Sequence, residues 1–150
     1  MKDVGQQIAA LPLAWHDNEL RILMVTSRDT GRWVVPKGWT MAGCQPWKAA
    51  KIEALEEAGA RGPISTETLG EYRYKKVLDD GSKQLCRVRV YPMLVEGLEH
   101  DWKERDQRTR RWFSPKAAAK SVVEPDLAKL MRGLAKKPKK QPVIGALLRQ

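Results

Sequence analysis

The sequence predicts an α/β fold with a mixed sheet covered by helices. Three observations carry this reading. Short apolar and β-branched runs bounded by turn residues occupy residues 7–35 and 69–113. Between them lies one helical stretch, opened by Pro46 and closed by Gly59. After Phe113 the pattern turns helical again. Strands, helix, strands, helix is the order of a sheet with helices packed on it, and 150 residues suffice for one domain with a substantial core.

Taken in order, Gln7 to Trp15 and Leu20 to Thr26 read as a hairpin around the polar turn His16 to Glu19. Pro12 inside the first run predicts an edge position or a bulge. A polar loop, Ser27 to Arg32, leads to a short strand at Trp33 to Val35. The central helix is expected over Pro46 to Ala58, with Cys44 or Gln45 near its cap and Gly59 just past its last turn. Its packing face is expected at Trp47, Ala54 and Ala58, with Ala49 and Ala50 leaving room beside the acidic arc.

Leu69 to Val77 and Gln84 to Val95 flank Asp79-Asp80-Gly81-Ser82, a second hairpin, in which Pro92 predicts a bulge. Residues 96–109 read as a charged loop and Arg110 to Phe113 as a final short strand. Ser114-Pro115 starts a helix in the manner of a serine cap followed by proline, and Glu124 to Lys136 is a further helix. The domain is set at 1–136, and 137–150 is a basic tail of uncertain order, although Val143 to Leu148 could dock.

One stretch makes a chemical statement. In the central helix Glu53, Glu56 and Glu57 fall within one arc of about 100°. Three carboxylates on one arc repel each other by a few tenths of a kcal/mol per pair, so a cation belongs beside them. Clustered hard oxygens suit Mg²⁺ or Mn²⁺.

Gly38, Glu53, Glu56, Glu57 and Gly59 stand in the register of G-x5-E-x7-R-E-U-x-E-E-x-G-U, where U is a bulky apolar residue. The stretch therefore resembles the Nudix box. Cys44 replaces its first glutamate and Ile52 its arginine. RWVVPKGW before the box and LEHDWKERDQRTRRWFSPKAA late in the chain resemble the diphosphoinositol-polyphosphate phosphohydrolase branch, which cleaves inositol pyrophosphates and diadenosine polyphosphates. The resemblance implies a Nudix-like α/β/α sandwich and metal-dependent cleavage of a phosphoanhydride in a highly phosphorylated small molecule. It implies Glu53, Glu56 and Glu57 as catalytic metal ligands, joined by a loop carbonyl at Lys37 or Gly38. Glu53 is the candidate base, and Glu99 or Glu104 the alternative.

Phosphate charge needs cations near the box, and Arg28, Arg32, Lys37, Arg73, Lys75, Lys76, Arg87 and Arg89 are expected there. Arg32 and Lys37 lead, because they immediately precede the box. The substrate-binding set is taken as Arg28, Arg32, Lys37, Gly38 and Arg73. Trp39 is a candidate for stacking on a base. Ile52 cannot orient a carboxylate as a guanidinium would. The alternative reading is therefore a catalytically weak Nudix domain that binds nucleotide or RNA.

Residues 1–99 carry 14 Lys+Arg against 13 Asp+Glu, and residues 100–150 carry 14 against 5. Nearly all the net +10 thus sits in the last third, which attracts polyanions and makes nucleic acid a candidate partner. No apolar run of about 18 residues exists and the N-terminus has no signal-peptide pattern. Cys44 and Cys86 have no metal spacing, so a reduced, cytoplasmic setting without a membrane partner is expected.

Overall fold

The computed structural model describes residues 3–149. Strands Gly5–His16 (β1) and Glu19–Thr26 (β2) form the first hairpin. Its turn residues Asp17 and Asn18 sit at φ 50° and 66°, the two positive values that a two-residue turn requires and that these side chains tolerate best. Trp33–Val34 (β3) and Lys37–Trp39 (β4) follow, then helix Pro46–Ala58 (α1). The second half comprises Ala60–Arg61 (β5), Gly70–Val77 (β6), Lys83–Leu94 (β7), Gly97–Leu98 (β8) and Arg110–Phe113 (β9). Helices Pro115–Ser121 (α2), Pro125–Arg132 (α3) and Pro142–Leu148 (α4) complete the chain.

The main sheet runs β3-β2-β1-β7-β6, with β4 against β1 and β9 against β2. Only β1 and β7 pair in parallel, so the sheet is mixed. Alternation along the strands sends Ile8, Ala10, Leu23, Val25, Tyr91 and Met93 to the α1 side. Leu11, Leu13, Ile22, Met24, Tyr72 and Val88 go to the side of α2, α3 and α4. The result is an α/β/α sandwich.

Both prolines lie inside the sheet rather than at edges or bulges. Pro12 pairs in unbroken register with Met93. Ala10 donates its N–H to the Pro36 carbonyl, so the same backbone edge two residues on, at Pro12, faces the gap between the β4 and β2 pairings. Pro92 is placed alike: its missing N–H lies beyond the end of β6, between the Leu69 N–H bond to Val90 and the Ser65 N–H bond to Pro92. Neither proline breaks a ladder bond.

Ala49, Ala50, Ala54 and Ala58 are fully buried against the sheet. Ala49 and Ala50 therefore do not open space beside the glutamates; small side chains bring the helix axis close to the strands. Gly59 closes α1 at φ 65° with its N–H on the Leu55 carbonyl. The expected loop 96–109 contains β8, which pairs with β5. The helix expected over 124–136 stops at Arg132, ahead of Gly133. Beyond residue 136, Pro138–Lys140 is a 3₁₀ turn, and α4 buries Ile144 and Leu147 in the core. No helix among the described residues is long and apolar enough to cross a membrane.

Candidate functional site

The glutamate arc of α1 faces a cleft of about 320 Å³ beside β4. Glu57 is 4% exposed, and its Oε1 accepts the Lys37 backbone N–H at 3.4 Å. Neighbouring Pro36 bonds to β1, so at Lys37 both backbone groups turn from β1, and its carbonyl faces the site. Gly38 packs directly on the glutamate: a Cβ there would lie 2.6 Å from the Glu53 carboxyl, which would have to shift.

The segment after β8 closes the cleft and clamps the end of α1. The last turn of a helix leaves carbonyls without partners. Here the Glu104 N–H reaches the Glu56 carbonyl at 3.0 Å, Trp102 Nε1 the Glu57 carbonyl at 3.0 Å, and Arg110 the Ala58 carbonyl at 2.9 Å. Arg110 also lies over the Trp102 ring, 3.8 Å from its centroid. This brings Glu104 to the site, where Arg108 donates to it from Nε at 2.9 Å. The same guanidinium stands 3.7 Å from Glu57 and donates to the Thr26 carbonyl at 3.0 Å. Glu56 turns outward to Lys103 at 3.5 Å.

Burial pushes the Glu57 carboxyl up to about 8, and hydrogen bonding with Glu53 adds to the rise. Burial also raises Glu53. Burial thus holds a proton on Glu57 at neutral pH. Among the described residues no three acidic, His or Cys side chains are gathered into a finished cation cage. The donor set nevertheless fits a hard divalent cation: carboxylates Glu53 and Glu57, Glu56 after a side-chain turn, and the Lys37 carbonyl, with the Glu57 proton standing where positive charge is wanted.

A sign follows for pH. The folded chain keeps a proton on Glu57 that the unfolded chain releases near the ordinary carboxylate value. The stability from that group is complete below this value and lost as pH rises through about 8. Without divalent cation, the melting temperature should fall between about pH 5 and about pH 8. Mg²⁺ should raise it more at the upper end, because cation and proton compete. Melting curves with and without Mg²⁺ check this; an equal Mg²⁺ effect at both ends would contradict it.

Of the cations expected near the box, Arg28, Lys37 and Lys76 line the cleft. Arg32 does not: its guanidinium meets Glu124, at the start of α3, at 3.2 Å and 3.5 Å. Arg73 does not either. On β6 it alternates with Tyr72 and Tyr74, and it sits with Lys75, Arg87 and Arg89 on the α1 side of the β6–β7 hairpin, outside the cleft. Arg87 there pairs with Glu71. Glu99 pairs with Arg61 at 2.5 Å, also outside the cleft, whereas Glu104 lines it. Arg108 and Tyr74 were not singled out by the sequence reading. The only signal for Arg108 was its i,i+4 spacing from Glu104.

Comparison with known proteins agrees with this geometry. The NUDIX domain family model matches residues 6–134. The chain is 32% identical over 130 residues to Nudix hydrolase 16, mitochondrial, of Arabidopsis thaliana, covering 84% of this chain and 72% of that protein. It is 32% identical over 101 residues to diphosphoinositol polyphosphate phosphohydrolase 3-beta of Homo sapiens, covering 66% of this chain and 57% of that protein. The crystal structure of a C. elegans Ap4A hydrolase superposes with a TM-score of 0.63 at 16% identity, covering 89% of this chain and 97% of that one. The chain belongs to the Nudix family and falls in its class of pyrophosphohydrolase enzymes. It spans a little over half the length of the human relative.

Proposed function

We propose that the chain is a divalent-metal-dependent hydrolase that cleaves a phosphoanhydride linkage in a highly phosphorylated substrate, of the diadenosine polyphosphate or inositol pyrophosphate kind. The observation that carries this is the cleft itself. Half-buried Glu53 and buried Glu57 face the backbone of Lys37 and Gly38, and Lys37, Lys76 and Arg28 lie on the same cleft. Mg²⁺ or Mn²⁺, held by Glu53, Glu56, Glu57 and the Lys37 carbonyl, would neutralise phosphate oxygens. Glu53 is the candidate base for the attacking water, because it lies against Gly38 at the cleft and burial raises its carboxyl above the ordinary value. Glu104 is the alternative, since it lines the same cleft beside the end of α1. Lys37 and Lys76 meet the phosphates. The human relative's name and the Ap4A hydrolase fold neighbour support this substrate range.

Incubation with Mg²⁺ and a panel of diadenosine polyphosphates, nucleotide sugars and inositol pyrophosphates, with product identification, tests the proposal. Turnover of at least one class, abolished by chelation, is expected. A panel without turnover would sink the hydrolase reading and favour the alternative motivated by Ile52, a weak domain that binds nucleotide or RNA.

A further inference from the structure

We infer that helices α2 and α3 carry a docking groove for single-stranded nucleic acid, apart from the cleft beside α1. The inference goes beyond the hydrolase reading and does not rest on it. Charge and shape point there independently.

Residues 115–150 carry 9 Lys+Arg against 2 Asp+Glu. Both acids are engaged elsewhere: Glu124 pairs with Arg32, and Asp126 lines a separate groove with Glu71 and Lys129. Lys116, Lys120, Arg132 and Lys136, all exposed, line one groove of about 680 Å³ on α2 and α3. Among the described residues no carboxylate lines it, and its other side chains are the small ones of Ala119 and Ala135. None of the four cations has an ion pair among the described residues. Helix chemistry accounts for two of them. Lys120 and Arg132 stand in last turns, where a cation meets unpaired carbonyls. Lys116 is different: it stands in the first turn of α2, at the wrong end of the dipole and one turn from Lys120, a like charge. Four cations held together against their repulsion call for a polyanion.

The shape favours a strand. A neighbouring groove of about 260 Å³ shares Lys116 and Ala135 with the first and extends it to half-buried Trp15, over whose ring Lys139 lies at 5.2 Å. The one carboxylate on that extension, Glu19, pairs with Arg21 at 2.6 Å. A concave track of cations ending at an indole has the parts that bind a single strand: charges for successive phosphates and a ring for a base. On binding, a base would take the place of Lys139 on the ring and free its ammonium for a phosphate. A lipid surface asks for the opposite, a face from which large apolar side chains stand out. Of the large apolar side chains exposed among the described residues, only Val123 lies on α2, α3 or the turn between them. Neither groove shares a lining residue with the cleft beside α1.

Fluorescence anisotropy with labelled oligonucleotides of about twelve residues tests this. A 5′-hydroxyl end leaves them without a phosphoanhydride. In EDTA a single-stranded RNA and a single-stranded DNA should each bind, with a slope of log K against log [salt] of about −3, as for four neutralised phosphates. Lys116→Ala combined with Lys120→Ala should make the slope shallower by about 1.4 and weaken binding on the order of tenfold to a hundredfold at low salt. Alanine is the best helix former, so α2 should persist in this variant. Lys48→Ala combined with Lys51→Ala removes the same charge from exposed positions of α1 and should leave the slope unchanged. A slope near zero, or an equal loss from the α1 pair, would overturn the inference. So would tighter binding of a duplex of the same length, or of phosphatidylserine vesicles at equal phosphate. Absence of turnover across the substrate panel would bear on the hydrolase reading alone.

Discussion

Replacing Glu57 with glutamine should lower kcat/KM by a factor on the order of 10³ while the protein stays folded. The carboxyl is 4% exposed, accepts the Lys37 N–H and holds a proton near neutrality, so the unliganded site already resembles a neutral amide. Glutamine keeps the size and the acceptor oxygen, and removes the repulsion that would follow ionisation. Its cost should therefore fall on cation binding. The melting temperature without cation should hold or rise, the Mg²⁺-induced increase should vanish, and turnover should collapse. Melting curves with and without Mg²⁺, beside rates on the best substrate of the panel, separate these effects. Turnover within about tenfold of wild type, with the Mg²⁺ effect intact, would remove Glu57 from the metal site.

The local elements were readable because local chemistry sets them. Pro46 and Gly59 mark both ends of α1, and Ser114 caps α2 by accepting the Ala117 N–H at 3.1 Å. Spacing alone placed the three glutamates on one arc. Which cations face the cleft was not readable, because that depends on register. On β6 a step of one residue separates Arg73 from Tyr74, and only pairing with β7 decides which face each takes. Pro12 and Pro92 were misjudged for a related reason: a proline is harmless in a central strand where a neighbouring strand happens to be missing, and that is a property of topology. The clamp on α1 joins residues far apart in sequence. Trp102 and Arg110 answer carbonyls some 50 residues earlier, a separation at which no periodicity speaks.

The guanidinium that the box lacks at Ile52 is expected from Arg108, and this pair gives the other large expected effect. Ile52 is 40% exposed on the outer surface of α1, and the cleft's lining does not include it. An arginine restored there would point where Ile52 points now. Arg108, by contrast, is 9% exposed and is the guanidinium between Glu57 and Glu104. With Arg108→Ala the part-buried Glu104 carboxylate loses its hydrogen-bonded cation, Glu57 loses a neighbouring positive charge and the Thr26 carbonyl loses its donor. Losing such a part-buried, charge-assisted hydrogen bond costs about 1.5–3 kcal/mol. The variant should melt below wild type and lose most activity. Arg108→Lys should fall between, since an ammonium keeps the charge but cannot fork between two carboxylates and a carbonyl. Ile52→Arg should leave turnover within about twofold, and adding it to Arg108→Ala should restore nothing, because the two positions do not share a partner. Melting temperature and kcat for the four variants decide the matter. A rate gain of about tenfold from Ile52→Arg alone, or rescue of Arg108→Ala by it, would mean that the box has decayed and that Arg108 does not stand in for the lost arginine.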